Sequence, residues 1–199
     1  IGTFDCLDGE MVLLDGTIYQ VKADGKVYMP DPSIKTPFAT TCFFNPEKTL
    51  SINTGIDYEG IEKLIDQAAF NQNLFCAIKV TGQFKTMRTR SVPRQNKPYP
   101  PLKEVTMNQP EFNMEDVAGT IVGFRCPVFV KGVNVPGYHL HFINCAGTQG
   151  GHILSFELTS GKITLSLSTS KALGSLKKFV TVIRKSLKSV FISAGFFSR

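Results

Sequence analysis

No uninterrupted apolar run in these 199 residues approaches the length needed to cross a bilayer, so no transmembrane segment is expected. The start at Ile1 shows neither a basic n-region nor an apolar h-region, and a first residue other than Met is expected of a processed chain or a fragment. Nor are any two cysteines spaced C-x-x-C. Cys6, Cys42, Cys76, Cys126 and Cys145 are odd in number and widely scattered, which argues against a zinc ribbon or a redox pair and predicts ordinary buried thiols. Acidic residues are missing altogether after Glu157, where Lys162, Lys171, Lys177, Lys178, Arg184, Lys185, Lys188 and Arg199 follow. The net charge of +6 therefore belongs to the tail: the first 157 residues hold 14 basic against 16 acidic side chains, a net of −2. A nucleic-acid-binding protein would spread basic residues and stacking aromatics over its body, so no nucleic-acid partner is expected.

With 42% hydrophobic residues the chain can bury a real core. Near the start, apolar runs at residues 10–14, 17–23 and 26–29 are separated by Asp15-Gly16 and Asp24-Gly25, pairs that readily supply the positive φ angles of tight hairpin turns, so a β-meander is expected. Further strand-like residues lie at 40–44. Asp57 can cap a helix bearing Ile61, Leu64, Ile65 and Ala68 at helical spacing. Residues 75–80 and 84–90 read as a strand pair around Gly82, and prolines between Pro93 and Pro110 mark a long connection. Strands resume at 120–124, 138–145, 153–158 and 162–168. Residues 171–192 place Leu173, Leu176, Val180, Ile183, Leu187 and Val190 on one side of a basic amphipathic helix, expected to pack on its own domain with its lysines in water. The expected fold is α+β: two sheet-containing parts of mixed or antiparallel strands with few helices. They run over 1–92, a connection at 93–116, and 117–199, or pack as one compact unit, with a metal site on a C-terminal β-hairpin of the last part.

The three histidines all fall within fourteen residues, in Gly137-Tyr138-His139-Leu140-His141-Phe142 and Gly150-Gly151-His152. Side chains alternate along a strand, so His139 and His141 share one face and Leu140 and Phe142 the other. If the chain turns at Ala146-Gly147, the register sets His141 opposite His152. Cross-strand partners stand about 4.5 to 5.5 Å apart at Cβ, compatible with three imidazoles converging on one ion at Zn–N distances of about 2.0 to 2.1 Å. A slip of one residue would send His152 to the opposite face. Three histidines with no cysteine leave a coordination position open, as catalytic zinc sites do, which points to Lewis-acid chemistry.

These residues also carry a resemblance. Ile1-Gly2-Thr3-Phe4-Asp5-Cys6-Leu7-Asp8-Gly9-Glu10, residues 84–90, and Asn134-Val135-Pro136-Gly137-Tyr138-His139-Leu140-His141-Phe142 followed by Gly150-Gly151-His152 resemble the α-acetolactate decarboxylases over most of the chain. The resemblance implies a zinc-dependent carbon–carbon lyase converting 2-acetolactate to acetoin and carbon dioxide. By it, His139, His141 and His152 are the zinc ligands, Glu10 is a carboxylate at the metal, Arg90 is an active-site arginine that binds substrate and assists proton transfer, and Gly2, Thr3 and Leu7 line the pocket. It implies a homodimer, cytoplasmic or secreted. It also implies a segment before the Gly-Thr-Phe element and a C-terminal glutamate returned to the metal. With no acid after Glu157, water could complete the coordination, and activity is expected to be reduced unless another carboxylate substitutes. Two other readings compete. A His-x-His strand also opens the metal motif of cupin-like oxygenases, although the glutamate expected soon after it is absent. A metal-stabilised binding scaffold without activity is the other.

Overall fold

Strand pairing divides the polypeptide at residues 29–47, a connection that leaves one sheet and enters another. The computed structural model describes residues 1–167. Before the connection lie β1 (Gly2–Thr3), β2 (Glu10–Leu14), β3 (Thr17–Val21) and β4 (Val27–Tyr28), hydrogen-bonded in that order. After it come β5 (Lys48–Ile52), β6 (Ile56–Asp57), α1 (Tyr58–Ala68), β7 (Cys76–Arg90), α2 (Leu102–Met107), β8 (Glu111–Cys126), β9 (Gly137–Asn144) and β10 (Gly150–Leu167). The second sheet runs β5-β10-β7-β8-β9, with β6 also on β10. All pairings between these strands are antiparallel. The start of β10 pairs with β9 as well as β7, so β7, β8, β9 and β10 close on themselves at that end.

Several expectations are corrected here. Residues 93–116 do not separate two sheets: β7 and β8 pair across that connection from Cys76↔Arg125 to Arg90↔Glu111. Prolines mark where a strand stops, not which sheet the chain joins next. Residues 40–44 form no strand; β5 begins at Lys48. The presumed strand pair around Gly82 is one continuous strand, and the glycines at 82 and 161 are close approaches rather than turns. They are cross-strand partners, and a Cβ at Gly82 would stand 2.2 Å from the Ser160 carbonyl oxygen. Only Cys76 and Cys126 are buried, whereas Cys42 and Cys145 are exposed. The helix expected over 171–192 lies outside the described residues.

The long sheet buries both faces. On one, α1 starts where Asp57 Oδ1 accepts from Gly60 N at 2.9 Å, an N-cap. Its Ile61 and Ile65 are fully buried against Phe84, Phe142, Phe156 and Leu158, each contributing about 1.5–3 kcal/mol by burial. Arg125 Nη1 and Tyr138 Oη both donate to Asp66 Oδ1, at 2.8 and 2.7 Å, which fastens α1 to β8 and β9 beside His139. On the other face Val12 and Val21 of the small sheet meet Val122, Phe124 and Ile143. Ser91 Oγ donates to Val21 O at 2.7 Å and Val27 N to Thr148 O at 3.2 Å, tying the small sheet down at the end where β9 and β10 meet.

Gly82→Ala should cost about 1–3 kcal/mol through overpacking, since backbone rather than a side-chain tip fills the space. Chemical denaturation of the two proteins would measure it, and an unchanged midpoint would mean the strands separate freely there.

Candidate metal centre

The β9–β10 hairpin pairs Gly150↔Ile143, Gly151↔Phe142 and His152↔His141, and β10 pairs His152↔Arg90 on its other side. Directly opposed residues of antiparallel strands share a face, so Arg90, His152 and His141 form a row across three strands. His139 sits one alternation before His141 on the same strand. The ligating nitrogens of the three imidazoles lie within 4.8 Å of one another, with His139 Nε2 and His141 Nε2 3.1 Å apart. This face is the one the small sheet covers, and His141 is fully buried.

β2 reaches across to complete the arrangement. Met11 O accepts from His141 Nδ1 at 2.9 Å, which leaves Nε2 as that ring's free nitrogen. The preceding residue, Glu10, is only 9% exposed and sets Oε2 3.4 Å from His141 Nε2; its Oε1 accepts from Val92 N at 3.4 Å. A carboxylate opening a hairpin strand is ordinarily exposed, so its burial is informative. Thr3 is Glu10's cross-strand partner, with Oγ1 donating to Gly9 O at 2.7 Å. Gly2 and Leu7 stand one step back. Gly2 packs on the Phe38 backbone, and Leu7 ends a 3-10 turn over Asp5–Leu7 in a left-handed conformation, φ 55°. Arg88, two residues from Arg90, is engaged on the surface, its Nε donating to Glu111 Oε2 at 2.9 Å. Arg90 Nε is buried without a hydrogen-bond partner in the protein.

Burial dominates the electrostatics. It lowers His139 from 6.5 to about 4 and His152 to about 3, with the positive charge of Arg90 acting in the same direction; His141 is pushed well below the usual range. Burial raises Glu10 from 4.5 to about 7, opposed by the Val92 N–H and by Arg90. The Glu10–His141 contact is therefore not an ion pair but a carboxyl against a neutral imidazole. Neutral, converging imidazole nitrogens are what a divalent ion requires, and the three histidines could hold one.

Three participants were not foreseen from sequence: the Met11 carbonyl, the Val92 amide and Phe38, whose ring stacks on His139. The first two are main-chain groups, and Phe38 lies 101 positions from His139, so no local pattern could signal them.

A sequence model described as Alpha-acetolactate decarboxylase matches residues 1–174. The chain belongs to the α-acetolactate decarboxylase family. Within that family it is 46% identical over 169 residues to the alpha-acetolactate decarboxylase of Methanosarcina mazei and 44% identical over 169 residues to that of Methylococcus capsulatus. Those alignments cover 85% of this chain but 59% and 65% of the two relatives, so the chain spans about three fifths of their length. The crystal structure of the alpha-acetolactate decarboxylase of Bacillus subtilis strain 168 superposes with a TM-score of 0.83 at 40% identity, covering 85% of this chain and 72% of that one. The largely antiparallel architecture with few helices is thus the family's, and the cupin-like reading is set aside. Among the described residues no helix is long and apolar enough to cross a membrane.

The metal-free protein should lose stability as pH falls from about 6.5 towards 4.5. Across that interval the unfolded chain binds protons at the three histidine positions while the folded chain does not, so acidification favours unfolding. Glu10 works in reverse, one proton against three, because its raised pKa makes the folded state the better proton binder between 4.5 and about 7. Thermal melts in chelator across this range should fall with acidification, and His152→Ala should flatten the slope; a pH-independent melt would contradict the burial argument.

Proposed function

We propose that this chain carries the active centre for metal-dependent decarboxylation of 2-acetolactate to acetoin and carbon dioxide, with the metal site on the C-terminal β9–β10 hairpin. The observation that supports it best is the convergence of His139, His141 and His152 with Glu10 and Arg90 on one covered face. Three nitrogen donors with no cysteine suit zinc with a position left for substrate. A divalent ion held there supplies positive charge where negative charge develops on oxygen as carbon dioxide leaves.

The remaining work falls to the protein. Arg90 is a permanent cation with an unsatisfied buried donor beside His152, suited to gripping the substrate carboxylate and orienting the carbon–carbon bond that breaks. The electron pair of that bond stays with the acetoin skeleton, delocalised onto oxygen. Glu10, on the small-sheet side of His141, returns a proton to the carbon and is replenished from solvent. Delivery from one side sets the configuration of the product. Thr3 fixes the strand that bears Glu10, and Gly2 and Leu7 complete the pocket wall. The assembly is read as a homodimer.

Acetoin formation from racemic acetolactate by zinc-loaded protein, with metal content determined alongside, tests this reading. His141→Ala should lose both metal and turnover. Glu10→Gln should keep the metal and lose about 10²–10⁴-fold in rate. A wild-type chain that holds metal and makes no acetoin would overturn the enzymatic reading in favour of a metal-bound scaffold.

A further inference from the structure

The three histidines are held in different ways. His141 is fixed by the Met11 carbonyl, whereas strand register sets His152 between Arg90 and His141 and His139 opposite Phe124, and gives neither of those two rings a hydrogen-bond acceptor. Among the described residues the His139 ring makes no hydrogen bond beyond the 3.1 Å approach to His141, although a ligating histidine ordinarily donates its second ring nitrogen to a carbonyl, carboxylate or water. What lies along it instead is the Phe38 ring, with centroids 6.4 Å apart and planes 12° from parallel, an offset stack.

Phe38 is built into that position. It lies in the connection between the two sheets, where residues 36–39 form no strand yet are pinned to β1. Thr3 N donates to Phe38 O at 3.1 Å. The buried Thr36 Oγ1 lies 2.8 Å from Phe38 O and 2.5 Å from Thr3 O, offering one proton to the two carbonyls, and accepts from Phe38 N at 3.3 Å. Gly2 permits the approach, since a Cβ there would stand 2.3 Å from Phe38 O. A half-buried aromatic on a strandless segment, with its backbone bonded at both N–H and C=O, is held in place by more than its own burial.

We infer that Phe38 is a positioning residue for His139, its ring plane taking the part that a hydrogen-bond acceptor plays for other ligating histidines. The inference rests on reading the three histidines as a metal centre. Removing the plane lets the imidazole turn about its side-chain torsions, and Nε2 no longer converges with its partners.

The test uses the full chain as wild type, Phe38→Tyr, Phe38→Leu and Phe38→Ala. Zinc affinity is read by competition with a chromophoric chelator, ligand geometry by the visible spectrum of the cobalt-loaded protein, and folding by melts of the metal-free forms. Phe38→Tyr should match wild type. Phe38→Leu, which keeps apolar bulk but no ring plane, should bind zinc about 10–100-fold more weakly with altered cobalt bands and a metal-free melt close to wild type, and Phe38→Ala should do the same or worse. Wild-type affinity and an unchanged cobalt spectrum in Phe38→Leu would overturn the positioning role while leaving the metal centre standing. A wild-type chain that takes up neither zinc nor cobalt would bring down the metal reading, and this inference with it.

Discussion

Everything at the centre depends on parity between β9 and β10. Because side chains alternate, the pairing His152↔His141 points both imidazoles to the face the small sheet covers, and the same pairing on the other side of β10 brings Arg90 into the row. Hydrogen bonds around the turn hold that register: Asn144 Oδ1 accepts from Thr148 N at 2.8 Å and Gln149 N at 3.1 Å, and Thr89 Oγ1 donates to Gly150 O at 2.9 Å from within the core. Leu140 and Phe142 act in the same sense, since a slip would expel two fully buried side chains from the opposite core.

The second constraint is coverage. A hairpin of histidines on an open sheet would be solvated, and its imidazoles would titrate near their ordinary value. Packing β2 over His141 removes water, keeps the rings neutral and brings a carboxyl group into a place where its charge is costly. The price of that burial is met by Val12 and Val21 packing against Val122, Phe124 and Ile143. The small sheet is therefore a lid made of structure, not of a loop, and it contributes both an orienting carbonyl and a carboxyl from adjacent residues of one strand.

Legibility in the sequence followed the range of the interaction. The Asp57-capped helix with Ile61 and Ile65, the Asp15-Gly16 turn and the alternation of His139 and His141 are local, and each could be read from spacing. Sheet membership could not, because the pairing of β7 with β8 spans the proline-rich connection and nothing in either strand names its partner. Gly82 misled for a physical reason: glycine serves a turn and a close approach between strands equally well, and only the facing Gly161 distinguishes them. Glu10 and Arg90 entered through family resemblance, since an acidic strand end and a pair of strand arginines have commoner explanations on a surface.

That the atom orienting His141 belongs to the main chain at position 11 has an evolutionary reading. Any amino acid that keeps β2 in its groove presents the same carbonyl, so the identity of residue 11 is released from the chemistry and answers only to packing, where Met11 is 2% exposed. Drift at that position should alter how tightly the two sheets fit without altering which imidazole nitrogen is free, whereas a single inserted residue in the strand would change both at once.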